Sequence, residues 1–358
     1  MKILIPLTRG KIEDITNPYI LTLVNAITHI HKEIEFYFNP TILWQHRCLE
    51  MDIVHIMWPD LFRHDMKEGF DLRLRLIELK EHGVKIITTC HNIHSHVPDN
   101  EFSDISYDIA YELSDVIIHL GHFSKRLFEE KYFNVAHVYI PHHVYDTFYS
   151  KQYSREECLK HLHLPSKFKY VVCIGTFRTE EERQLVYALA KKLRNKGIRI
   201  LAPSYEVWPQ KNLTIRDKVH LWKKKKSLSK NGLYICGKYI NDTELPYYYG
   251  VSDVSLIHRI SILNSGNLPL GFLMGNVVVG PNVGNVGEIL KETDNPIFDS
   301  HNIDSVYSAI IEAFNMAQSG KGKQNHDYSL KHFSTNMIAE ETYKLYLDIT
   351  NTNDYIIE

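Results

Sequence analysis

The sequence predicts an α/β chain built from two doubly wound domains, and three observations carry that expectation. Short apolar runs rich in β-branched residues alternate with longer amphipathic segments from the first residue onward, the habit of a parallel sheet flanked by helices. The runs fall into two series, divided by a polar stretch at 153–169 that contains Pro165, a residue that interrupts regular structure. The length of 358 residues suits roughly two domains of about 150 residues each.

In the first series KILIPL, EIEFYF, IVHIM, VKIITT, VIIHL and HVYI read as strands, with helices at Pro18 to His31, Leu72 to His82 and Ser124 to Tyr132. This is a domain over 1–150. YVVCIG, IRILAP, GLYICG, DVSLIH and NVVVGP form the second series, a domain over 167–334. The polar stretch SGKGKQNHDYS reads as a loop, and the amphipathic segment Thr335 to Leu347 as a helix whose tail, 335–358, can pack back on the first domain. The run WKKKKSLSK at Trp222 to Lys230 reads first as a solvated helix end, its lysines near the negative pole of its own dipole. An anionic membrane surface or a phosphate-rich ligand is the alternative.

Composition excludes several classes of function. With 44% hydrophobic and 23% charged residues the chain is an ordinary globular one, and no run approaches the roughly 18 apolar residues of a membrane span. A formal charge of -2 argues against a nucleic-acid partner, which requires a basic surface. The 21 histidines make the net charge sensitive to pH near neutrality. Five cysteines without C-x-x-C spacing, mostly in apolar runs, read as reduced core thiols of a cytoplasmic protein.

Ligands of open α/β sheets sit beyond the carboxyl ends of the strands, so the strand exits are the informative positions. The first domain offers Arg9 and Gly10 after KILIPL, Trp58 and Asp60 after IVHIM, and His91, His94 and His96 after VKIITTC. A histidine group at one exit points to a ligand-facing loop. The three histidines lack a fourth fixed partner and any H-E-x-x-H pattern, so no metal is expected. G-x-S-x-G, G-x-G-x-x-G and P-loop motifs are missing after the first strand of either domain, which disfavours hydrolase, dehydrogenase and P-loop chemistry.

The second domain carries the stronger signal. After DVSLIH, Asn264, Ser265, Gly266 and Asn267 are placed to open a helix whose free N–H groups suit a diphosphate; an ordinary capped helix is the plainer alternative. Gly266 would admit a close backbone approach, with hydrogen bonds from Ser265 and Asn267. Arg178, beyond YVVCIG, is the first cation candidate, against a surface pair with Glu180, Glu181 or Glu182. Arg259 is the second. Gly237, Lys238 and Tyr239, after GLYICG, suit a flat base.

In this order the pieces Asn17-Pro18-Tyr19, DIVHIMWPD, TTCHNIHSH, SDVIIHL, IPHHVYDTFY, IGTFR, GLYICGKYINDTELPYYYGVSDV and ILNSGNLPLGFLMGNVVVGPNVG resemble the GT-B superfamily of nucleotide-sugar-dependent glycosyltransferases over essentially the whole chain. Within it the chain looks like bacterial enzymes of surface-polysaccharide assembly, whose donor loop S-G-x-x-x-x-A-x-x-x-G is matched by Ser265, Gly266 and Gly275. It departs where many retaining relatives carry two glutamates, here Asn264 and Phe272, and where a diphosphate-binding lysine is common, here Glu181.

The resemblance implies a GT-B fold, two Rossmann-like domains facing a central cleft, with the sugar donor on the second domain and the acceptor on the first. It implies a metal-independent hexosyltransferase without a cofactor, the nucleoside diphosphate sugar being a co-substrate. Arg178, Arg259, Asn264, Ser265, Gly266, Asn267, Gly237, Lys238 and Tyr239 would bind the donor, and Arg9, Gly10, His94 and His96 the acceptor. His91 would hold the donor sugar or assist proton transfer; an inverting reaction requires a base, for which Asp60 and His91 are the candidates. A glycan or lipid-linked glycan acceptor implies peripheral attachment at the inner face of the cell membrane. A sugar-nucleotide epimerase or phosphorylase on the same frame, and a binding protein without turnover, are the alternatives.

Overall fold

The computed structural model describes residues 1–7, 17–95, 101–208, 211 and 213–351, with the side chain of Glu101 excepted. Arg9, Gly10 and His96 lie outside the described residues. The chain divides into two compact units, one formed by Met1–Phe148 with the segment from Phe333 onward, the other by Tyr149–His332.

The first unit is a six-stranded sheet of β1 (Lys2–Leu4), β2 (Glu35–Tyr37), β3 (Ile53–Ile56), β4 (Lys85–Cys90), β5 (Val116–His119) and β6 (Ala136–Tyr139). The order is β2-β1-β3-β4-β5-β6, all parallel. β3 and β5 are buried along their whole length, which is why they read as apolar runs, with the buried imidazoles of His55 and His119 among them. The helix Pro18–Ile30 starts at Asn17, whose side chain accepts the Tyr19 N–H at 3.0 Å, with Pro18 at the first turn, a position that needs no N–H.

The C-terminal helix Thr335–Asn351 belongs to this first unit. Its N-terminus is capped by Asp146, which accepts the Thr335 N–H at 2.8 Å. It buries Ile338, Leu345, Tyr346 and Ile349, and the Tyr346 hydroxyl lies 2.7 Å from Nδ1 of His55 on β3. The other His55 nitrogen meets Thr89 on β4 at 2.8 Å, so one buried imidazole links the tail to two central strands.

The second sheet contains β7 (Lys169–Val172), β8 (Ile198–Leu201), β9 (Leu233–Tyr234), β10 (Val254–Leu256), β11 (Val277–Pro281) and β12 (Ile297–Phe298). All pairs are parallel in the order β12-β11-β10-β7-β8-β9. The chain proceeds one way from β7 and then the other way from β10. These neighbours therefore flank a topological switch point, where a crevice opens at the strand exits.

Two segments depart from the sequence reading. The polar connection contains a helix, Arg155–His161, closed by a Ser154–Glu157 capping box. The stretch expected as a loop after Ser319 is the helix Lys321–Phe333. Its inward side carries Asn325 and Ser329 instead of an apolar stripe. Asn325 donates to the Asn276 carbonyl at 2.9 Å and to Asn295 Oδ1 at 2.8 Å, so hydrogen bonds anchor a helix that hydrophobic periodicity could not announce.

Candidate functional site

The β7 exit turns at Gly175, whose φ of 108° is open to glycine and costly for other residues. A Cβ there would lie 3.6 Å from Arg259 Nη2 and 3.6 Å from Asn267 Nδ2, so the exits of β7 and β10 and the start of the helix Asn267–Leu273 meet at this glycine. The helix Glu180–Arg194 follows, capped by Thr179. Its Glu182 is buried and accepts both the Arg178 backbone N–H at 2.7 Å and Arg259 Nη1 at 2.8 Å.

The two arginines therefore differ in standing. Arg259 is buried and ion-paired with Glu182, whereas Arg178 is exposed at the β7 exit. Sequence spacing allows a pair between Arg178 and any of three acids; of these, Glu182 is taken up by Arg259 from the neighbouring exit. Beneath it, His258 stacks on Phe177 at 4.0 Å and places Nδ1 3.2 Å from the Cys173 thiol. Burial and the Arg259 charge push the His258 pKa down to about 3, and burial pushes the Cys173 thiol up. Both are held neutral.

The helix expected to open at Ser265–Asn267 runs over Asn267–Leu273, with Gly266 at its cap. Gly266 has an ordinary helical φ of -61°, so its backbone does not require glycine. Asn267 is engaged at both ends of its amide: Nδ2 donates to the Ile174 carbonyl at 2.9 Å and Oδ1 accepts the Tyr249 hydroxyl at 3.4 Å. It ties the helix to the β7 exit. Asn264 accepts from Asn285 at 2.7 Å, and the Leu263 carbonyl accepts the Asn285 N–H at 3.0 Å, so the following helix Gly284–Glu292 fixes the loop. Ser265 lies within the same turn, its carbonyl accepting the Leu268 N–H at 3.1 Å.

At the β9 exit, Gly237 donates to the Pro203 carbonyl at 3.1 Å and accepts the Trp208 N–H at 2.9 Å. The Trp208 ring covers it so closely that a Cβ would lie 2.4 Å from Cε3. The backbone groups expected to hold a base at Gly237 are thus committed to joining the β8 and β9 exits. Lys238 and Tyr239 remain exposed beside them.

In the first unit, His91 sits at the β4 exit, stacked on Trp58 at 4.7 Å and edge-on to Tyr19 at 5.0 Å. Tyr19 also meets His142 at 4.6 Å and stacks on His143 at 4.9 Å. His143 bonds back to the Tyr19 carbonyl at 2.9 Å. Four separate sequence pieces, NPY, IMW, TCHN and IPHH, therefore converge on one aromatic and imidazole cluster. Tyr19 and His142 are the members that strand-exit reasoning does not single out; Trp58 it names only as an exit residue. Burial, and then the neighbouring imidazole, hold His91 and His142 down at about 3.

Asp60 lies half-buried in the turn Pro59–Phe62 after β3, 3.7 Å from Arg63, and burial raises its carboxyl pKa. His94 is exposed beyond the β4 exit. Among the described residues, no group of three or more His, Cys, Asp or Glu could hold a metal ion. All five cysteines are free, four of them buried.

Solved structures align with nearly the whole chain. Sucrose-phosphate synthase from Thermosynechococcus elongatus is similar at a TM-score of 0.70 and 12% identity, covering 98% of this chain and 99% of its own. A glycosyltransferase from Rickettsia africae reaches 0.65 at 13% identity, over 98% and 99%. Anabaena HepE in complex with UDP and glucose reaches 0.63 at 10% identity, over 97% and 100%. The chain has the GT-B fold. No protein-family model matches the sequence, and no curated protein matches it. As a GT-B chain its two parallel sheets are the two Rossmann-like units of that fold, and no helix among the described residues is long and apolar enough to cross a membrane.

Proposed function

We propose that this protein is a hexosyltransferase that moves a sugar from a nucleoside diphosphate sugar to a hydroxyl of a glycan or lipid-linked glycan, in the assembly of a bacterial surface polysaccharide. The observation that carries the reading is the β7/β10 switch point, where Gly175, the Arg178 exit and the paired Arg259–Glu182 lie against the donor-loop helix. That is where a doubly wound unit binds a nucleotide. The UDP and glucose bound to HepE support the same ligand class.

In this reading Arg178 neutralises the diphosphate as charge develops on the leaving group. Arg259, held rigid by Glu182, supplies its remaining N–H groups without a reorganisation cost. The reaction needs no metal and no cofactor beyond the co-substrate. The first unit takes the acceptor, with half-buried Trp58 and His91, backed by buried Tyr19, offering a flat apolar face and a hydrogen-bonding edge to a sugar. The protein works on the cytoplasmic side and meets the inner face of the membrane peripherally, where lipid-linked acceptors reside.

The test is calorimetric and thermal-shift titration with UDP, GDP, ADP, CMP and their common sugar conjugates, without divalent metal, on the wild type and Arg178→Ala. One nucleotide stabilising the wild type, with a loss of about tenfold or more in affinity in the variant, supports the donor assignment. No response to any nucleotide overturns it. Product analysis with an acceptor present separates transfer from epimerisation.

A further inference from the structure

We propose that the helix Ile215–Lys230 is a docking surface for an anionic lipid bilayer. The inference deepens the peripheral attachment suggested above, which supplies its biological setting; the surface itself is argued from this helix alone.

The helix buries none of its residues. Ile215, Val219 and Trp222 are 82%, 46% and 59% exposed, and their i, i+4, i+7 spacing puts them within a sector of about 60°. The inward side is occupied by other residues: Leu228 packs on the core of the second unit, and Lys224 reaches Glu206 at 2.7 Å. A helix that only covered its sheet would turn Ile215 and Trp222 toward that core. This one turns them outward.

Basic residues border the apolar stripe on both sides. At the same angular spacing Lys218 and Lys225 fall to one side, and Arg216, Lys223 and Lys230 to the other, with Lys226 in the middle over the Trp222 ring at 4.8 Å. The one acid of the helix, Asp217, is bound in a capping box with Thr214. A solvated helix end accounts for lysines near the C-terminus; it does not account for an exposed apolar stripe between them. An apolar centre with a lysine border is the pattern that inserts shallowly into a bilayer while its cations meet lipid phosphates.

A pocket of about 410 Å³ opens at the edge of this face, lined by Trp222, Lys225, Lys226, Ser229, Tyr234 and Ile235. Lys225, Lys226, Ser229 and Tyr234 in its lining are residue types that can donate to a phosphate headgroup. The pocket shares Trp222 with the stripe and Lys225 and Lys226 with the cations, and together they suit one ligand chemistry: an anionic phosphodiester attached to a hydrocarbon layer.

The test is flotation of the full chain with vesicles of phosphatidylcholine alone and with about 30% phosphatidylglycerol added. The expected result is binding to the anionic vesicles only. The triple variant K223E/K225E/K226E should reduce it at least about a hundredfold, and I215S/W222S should reduce it as well. K191E/K196E, exposed on and just beyond another helix of the same unit, should leave it unchanged. Absence of binding to anionic vesicles, or binding that survives the triple variant, overturns the proposal. So does a wild type displaced from vesicles by millimolar inorganic phosphate with no effect of I215S/W222S, which would make the pocket a site for a soluble anion. Circular dichroism verifies that each variant is folded, and nucleotide titration of the same samples tells failure of this surface from failure of the donor assignment.

Discussion

Arg259 donates to Glu182 at 2.8 Å inside the second unit, and that carboxylate also accepts the Arg178 backbone N–H. One buried acid thus fixes both the β7 and the β10 exit. The pair is almost fully removed from water, so losing the carboxylate charge leaves a guanidinium without compensation. Glu182→Gln keeps the shape and the acceptor oxygen, and it should cost about 3 kcal/mol of stability. Urea unfolding of the single variant and of Glu182→Gln with Arg259→Met measures this; the double variant should recover part of the loss. A single variant as stable as the wild type would refute the structural role given to the pair.

Asn325 makes the corresponding prediction for the helix Lys321–Phe333. Its side chain reaches the Asn276 carbonyl and both atoms of the Asn295 amide at 2.8 to 3.0 Å, and it is buried. Asn325→Ala strands those partners and should lower stability by about 2 kcal/mol. Measuring the denaturation midpoint against an exposed control such as Gln324→Ala decides it, since a merely solvated polar helix would respond equally to both.

These relationships explain what the sequence could and could not reveal. β3, β5 and β11 are buried along their length, and that burial is written as Val and Ile runs, interrupted by His55 in β3 and closed by His119 in β5 and Gly280-Pro281 in β11. The start of the helix at Pro18 is written in Asn17-Pro18, because capping is local chemistry. The helix carrying Asn325 is not written in apolar periodicity, since its buried side is amide. Nor is the cluster of Tyr19, Trp58, His91 and His142, whose members come from four segments far apart in the chain; only the parallel strand order brings them together. The segment 264–267 is legible as a loop opening a helix, but the contacts of its residues are not. Read along the chain, Asn267 and Gly237 look free to bind ligand, because the Ile174 carbonyl and the Trp208 N–H that occupy them lie on neighbouring strand exits.

The buried histidines make stability depend on pH with a definite sign. Burial is the first cause holding His55, His91, His119, His142 and His258 at about 3 and His143 at about 4. In the unfolded chain a histidine titrates near about 6.5. Between these values the unfolded chain binds more protons than the folded one, so stability falls as pH drops below about 6.5 and is fully present above it. Each such histidine adds up to about 1.4 kcal/mol per pH unit. Urea midpoints at successive pH values should be level above neutrality and decline steeply on acidification. A level profile down to the carboxylate range would contradict the burial of this group.

Asp60 and His91 are equal candidates for the proton acceptor on sequence alone, and their surroundings separate them. His91, stacked on Trp58 and edge-on to Tyr19, is held at about 3, which keeps it neutral and makes it a poor base. It suits a hydrogen bond to a sugar. Asp60 is shifted upward by burial, toward a stronger base than a free carboxylate. Where transfer inverts the anomeric centre, Asp60→Asn should lower kcat by about a hundredfold or more while changing donor KM little. His91→Asn, which retains hydrogen bonding, should act mainly on KM. The acid limb of the rate profile should vanish in Asp60→Asn and persist in His91→Asn. An Asp60→Asn enzyme with undiminished kcat would remove the carboxylate from the reaction and leave the base to be sought elsewhere in the first unit.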